Sequence, residues 1–106
     1  MNSENTFDTL IIGGGPAGAA ASIYSARKRL RGAIVTPEFG GQSNVSETIY
    51  NWIGTPEISG ADLAKNLEKH IRAYEGEYLS IFEGYRANKI ERKGDLFETT
   101  LSDGVN

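Results

Sequence analysis

The chain has 106 residues, enough for one domain at most and free of cysteine, so it holds no disulfide scaffold, thiolate metal site or dithiol redox centre within these residues. Its 39% hydrophobic and 24% charged content is near globular norms and speaks against disorder. The net charge of −3 gives no basic field to draw in nucleic acid, and no apolar run reaches the ~18 residues of a membrane span.

Met1 to Asn5 is a short polar lead. It lacks the basic start and apolar stretch of a signal peptide, so the expected compartment is the cytoplasm. Thr6 to Ile12 is the first predicted strand, and Thr9 to Ile12 has the apolar, β-branched character of a buried parallel strand. The stretch Leu10-Ile11-Ile12-Gly13-Gly14-Gly15-Pro16-Ala17-Gly18 then passes from strand through a tight turn into an alanine-rich helix. Gly13, Gly15 and Gly18 have the G-x-G-x-x-G spacing of a dinucleotide site. Gly13 permits the sharp exit from the strand, Gly15 lets a pyrophosphate approach the backbone, and Gly18 lets the helix pack closely on the sheet. Phosphates would sit at the helix N-terminus, where N–H groups and the dipole favour negative charge. Pro16 suits a first helical turn, where its missing N–H costs nothing. The alternative is a glycine turn in a β-α unit that binds nothing.

The helix is predicted from Pro16 to about Arg29. Arg27, Lys28, Arg29 and Arg31 cluster at its far end. A clamp for a 2′-phosphate is one reading, but the phosphate turn lies at the opposite end. Basic residues matched to the dipole at a helix C-terminus are the favoured reading. Leu30 to Thr36 is the second strand. An acid often ends this strand, about 20 residues past the glycines, and bonds the ribose. Here Thr36 and Pro37 end it, with Glu38 just beyond.

Phe39-Gly40-Gly41-Gln42 places paired glycines after the second strand, where they allow backbone to approach a ligand or simply turn a loop. Ser43 to Gly60 has no clear period. Its patch Ile49-Tyr50-Asn51-Trp52-Ile53-Gly54 reads either as a cover over a flat ligand or as a satellite of the core. Ser59-Gly60-Ala61-Asp62 is a capping signature, and Leu63, Leu67, Ile71 and Tyr74 recur at helical spacing up to Gly76. His70 lies beside that stripe with no visible partner acid and reads as an ordinary surface histidine. Tyr78 to Phe82 is a third strand. Ala87 to Arg92 and Leu96 to Leu101 form a hairpin about Lys93-Gly94-Asp95. The expected fold is therefore α/β, a Rossmann-like parallel sheet with helices plus a small antiparallel β hairpin.

Together, Leu10 to Gly18, Ile23-Tyr24, Gly40-Gly41-Gln42, Asn51-Trp52 and Ser59-Gly60 before a helix resemble the thioredoxin reductase family, including the flavoprotein subunit of alkyl hydroperoxide reductase. The G-G-Q and N-W pairs at this distance are more specific than the glycine spacing. The resemblance runs from about Phe7 to Gly104. It implies an FAD-binding domain, with NADPH bound by an inserted domain, electrons passed to the disulfide of a thioredoxin-like protein, and a homodimer. Gly13, Gly14, Gly15, Pro16, Ala17 and Gly18 would hold the FAD pyrophosphate. Thr36, Pro37 and Glu38 would lie near the adenosine ribose, in a family that often lacks the acid there. Gly41 and Gln42 would line the path to the isoalloxazine, Asn51 would contact the ring, and Ala87 would match a backbone contact to adenine.

The family's C-x-x-C centre, its NADPH glycine motif and its closing G-D segment are not found here. Residues 1–106 thus look like the N-terminal part of an FAD-binding domain, the first quarter to third of a reductase, and an incomplete domain with one sheet edge or face left bare. The chain by itself is expected to be inactive, with no catalytic residue and no metal site. Two other readings stand beside it: a non-catalytic nucleotide-binding or interaction module, and a relative of ferredoxin–NADP reductase, which shares this N-terminus without the dithiol.

Overall fold

Three parallel strands and two crossover helices build the centre of the protein. A computed structural model describes residues 5–41 and 46–103. The elements are β1 (Thr9–Gly14), α1 (Pro16–Arg27), β2 (Gly32–Phe39), β3 (Thr48–Ile49), β4 (Ile58–Ser59), α2 (Gly60–Arg72), β5 (Leu79–Glu83), β6 (Tyr85–Lys93) and β7 (Leu96–Asp103). The sheet order is β1-β2-β5, with both pairings parallel. Two β-α-β units follow, since parallel neighbours need a crossover.

The register aligns Ile11 with Ile34 and Ile34 with Ile81, so one row of isoleucines faces the helices. Ala19 and Ala26 of α1 and Leu63, Leu67 and Ile71 of α2 close over that row with Phe39 and Leu79. The alternate residues face the other way, as the period of a strand requires. There Ala33 and Val35 are buried, while Phe7 and Tyr85 set their rings against Phe82 at 6.1 and 6.5 Å.

The strand Thr9–Ile12 is half bare, not buried throughout as its composition predicts. Leu10 and Ile12 are 38% and 50% exposed, because they alternate with Ile11 and point to the face of this edge strand away from the core cluster. Composition reports that a strand suits a buried sheet; it does not report what covers each face. The predicted bounds also move. α1 stops at Arg27, because Arg29 takes a left-handed φ of 59° that helix cannot continue. α2 stops at Arg72, four residues before Gly76. β2 runs on through Pro37 to Phe39. Within the stretch read as an aperiodic loop, Thr48 pairs with Ser59 and Ile49 with Ile58. Strands of two residues are too short to show alternation.

Ser59 caps α2: its Oγ accepts from the Asp62 N–H at 3.1 Å. Ser59→Ala removes that acceptor and is expected to cost about 1 kcal/mol. A urea titration would show this as a lower midpoint with an unchanged slope, and an unchanged midpoint would show that the cap contributes nothing.

At the far end of α1, Arg27 donates to the Tyr74 hydroxyl at 3.2 Å, and Arg31 lies over the Phe7 ring and bonds the Thr6 carbonyl. Arg27 and Arg31 thus tie the end of the helix remote from the glycine turn to its neighbours. Among the described residues no helix is long and apolar enough to cross a membrane, and no group of three or more His, Cys, Asp or Glu converges as a metal site would need.

Candidate functional site

β1 ends in the glycine turn, and α1 begins there. Gly13 has φ +109°, a conformation that only glycine takes without strain. Gly15 is the N-cap of α1 and Pro16 its first residue; no side chain caps this end and no acid occupies the first turn. The first-turn donors of a helix have no partner inside it. This end therefore presents backbone N–H groups and a positive dipole with no carboxylate competing for them.

The closeness of helix and strand can be measured at Gly18. A Cβ there would lie 1.8 Å from the Gly13 carbonyl oxygen. At Gly14 a Cβ would lie 2.8 Å from Thr36 Oγ1 and 3.0 Å from the Glu38 carbonyl. At Gly15 the case differs: a Cβ would meet only the Gly40–Gly41 backbone, nearest at Gly41 Cα, an ordinary 3.7 Å away. Packing within the protein thus explains Gly14 and Gly18 but does not require a glycine at Gly15.

A second glycine turn leans on the first. The Gly40 N–H donates to the Gly14 carbonyl at 2.8 Å, and Gly41 lies so close that its Cβ would stand 3.1 Å from Gly15 Cα. The paired-glycine reading covers Gly40 and Gly41, and the family resemblance assigns Gly41 and Gln42 to the site. Neither singles out Phe39, which is 5% exposed and pairs with Gly14, so it anchors the turn. An aromatic residue continuing an apolar strand into two glycines is the signal that marks it.

The strand-end residues divide. Thr36 is buried, and its hydroxyl donates to the Glu38 carbonyl at 2.5 Å while its side chain packs on Gly14. It locks the end of β2 against the turn. Pro37 is half-buried and the Glu38 side chain is exposed beside it. Gln42 lies outside the described residues. Asn51 is exposed on the segment after β3, where Tyr50–Pro56 line a shallow open hollow. Trp52 and Ile49 pack against the core, as a satellite cluster does, while Tyr50 and Ile53 are 70% and 94% exposed. Ala87 sits inside β6, opposite Leu101 and just before a register shift. The structure therefore brings Gly13 to Gly18, Thr36 to Glu38 and Gly40-Gly41 to one place, while Asn51 and Ala87 stand on other elements.

This cluster suits an anion held by backbone. Two turns of minimal bulk stack beside an uncapped helix N-terminus, and Gly15, half-buried and with room for a Cβ, lies where they meet.

Comparisons with known proteins agree with the geometry. Residues 7–103 match a family model described as pyridine nucleotide-disulphide oxidoreductase. The chain is 43% identical over 102 residues to an NADH dehydrogenase of Bacillus subtilis, a match covering 96% of this chain and 19% of that protein. It is 38% identical over 104 residues to the F component of the alkyl hydroperoxide reductase of Pseudomonas aeruginosa, covering 98% of this chain and 20% of that protein. Its fold superposes on a thioredoxin reductase of T. acidophilum with a TM-score of 0.81 and 31% identity, covering 92% of this chain and 31% of that one. The chain spans about a fifth of the length of the curated relatives it matches.

Proposed function

The chain belongs to the pyridine nucleotide-disulphide oxidoreductase family, and from that premise we propose that it forms the FAD-binding portion of a thioredoxin-reductase-like flavoprotein. In this reading Gly13 to Gly18 hold the pyrophosphate at the start of α1. Gly41 and Gln42 border the path to the flavin, Asn51 meets the ring and Ala87 meets adenine through its backbone. With the Thr36 hydroxyl bonded to the Glu38 carbonyl, the exposed Glu38 carboxylate is the better acceptor for the ribose hydroxyls. Bound FAD would supply the redox chemistry, taking a hydride from NADPH and passing electrons to a protein disulfide. The contribution of these residues is placement: an unbranched backbone cradle and a helix dipole for the charge. The whole protein would work as a cytoplasmic homodimer with a thioredoxin-like partner.

The single observation that carries the reading is the stacked pair of glycine turns at the uncapped N-terminus of α1. Titrating the 106-residue chain with FAD and, separately, with NADPH tests it. FAD is expected to bind at least ten times more tightly. The chain with both nucleotides is expected to reduce no disulfide, since it has no cysteine to relay electrons. A preference for NADPH, or disulfide reduction by this chain alone, would contradict the proposal.

A second reading changes the donor and acceptor but keeps the site. The 43% identical relative is an NADH dehydrogenase, which favours NADH as donor and an acceptor other than a protein disulfide.

A further inference from the structure

We infer that Arg72, in the last turn of α2, is the positioning residue of the Gly40–Gly41 turn. The inference rests on that turn being part of the nucleotide site.

The turn needs an anchor. Regular pairing of β1 with β2 ends at Ile12 and Val35, and the register shifts before Gly14 meets Phe39. The ladder beneath the turn is therefore interrupted. Phe39 holds its place through the core instead, and the Arg72 guanidinium lies over its ring, 5.3 Å from the centroid. A guanidinium over an aromatic face is attracted by the ring quadrupole.

Arg72 is itself fixed from both sides. Its Nε donates to Glu68 at 2.8 Å and its Nη2 to Glu83 at 2.6 Å, with Glu75 at 3.9 Å. The Glu68 hydrogen bond, with the charges of Glu68, Glu83 and Glu75, raises its pKa above the ordinary arginine value despite some desolvation. Glu83 ends β5, and the next residue, Gly84, donates its N–H to the Thr36 carbonyl at 2.8 Å. One guanidinium thus joins the end of α2, the end of β5 and the last side chain of β2. A planar fork with several donors can do this; an ammonium meets fewer partners at once. Each exposed ion pair alone is weak. Removing Arg72, however, takes the cation from over the Phe39 ring and the shared partner from three carboxylates.

The test is amide hydrogen exchange by NMR on the full 106-residue chain without nucleotide. In Arg72→Met the Gly40 amide is expected to exchange about tenfold faster, with Ile34 and Val35 unchanged. Arg72→Lys should restore part of the protection. Glu83→Gln, which keeps the arginine, should give a smaller rise at Gly40 and serves if Arg72→Met does not fold. Unchanged Gly40 exchange, or a rise matched at Ile34 and Val35, would overturn the inference. An FAD titration of the same chains separates the two claims. Failure of the unmutated chain to bind FAD would overturn the proposed function and leave the Gly40 result standing.

Discussion

Gly18→Ala is expected to cost the chain about 3 kcal/mol, at the upper end of overpacking penalties, and to lower its urea midpoint sharply. The added Cβ would lie 1.8 Å from the Gly13 oxygen and 2.9 Å from the Gly13 carbon. Both are backbone atoms, so no side chain can swing aside. Either α1 lifts from the sheet or the glycine turn rearranges. Lifting α1 pulls Ala19 and Ala26 away from Ile34 and Phe39 in the core. Domains have only about 5–15 kcal/mol in hand, so a loss of this size is a large share of the total. A midpoint equal to that of the unmutated chain would show that α1 is not seated so closely.

Gly15→Ala should behave in the opposite way. Its φ of −81° suits any residue, and the new methyl would come no closer than 3.7 Å to its nearest neighbour, Gly41 Cα. Alanine is a poorer N-cap than glycine but stiffens the unfolded chain, so the net change in stability is expected within about 1 kcal/mol. FAD affinity, by contrast, is expected to fall on the order of 100-fold, because in the proposed site the methyl would stand where the pyrophosphate approaches. Equilibrium unfolding and a fluorescence titration of FAD on the same sample check the two halves. Equal FAD affinity in the variant would place the pyrophosphate elsewhere.

These two glycines show how much of the molecule can be read from its sequence. The order strand, turn, helix around Gly13 to Gly18 is local, and spacing alone reveals it. So are the Ser59 cap and the Leu63, Leu67, Ile71 stripe, which sits in the core as its period predicts. What spacing does not carry is contact between distant segments. The place of β1 at the sheet edge follows from strand order, and the exposure of Leu10 and Ile12 from what covers the face they point to. The inward turn of the Thr36 hydroxyl goes with the bare face of Gly14, and Phe39 is met by Arg72 from α2. Ile49 and Trp52 look alike whether they cover a ligand or join the core; only packing shows that they join it.

The most direct test of FAD binding at the glycine turns is a titration of the purified 106-residue chain with FAD, followed by the change in flavin absorption and fluorescence. Saturable binding near one FAD per chain is expected, weakened about 100-fold by Gly15→Ala in a protein that stays folded. No binding by a folded chain, or binding that Gly15→Ala leaves unchanged, would contradict it.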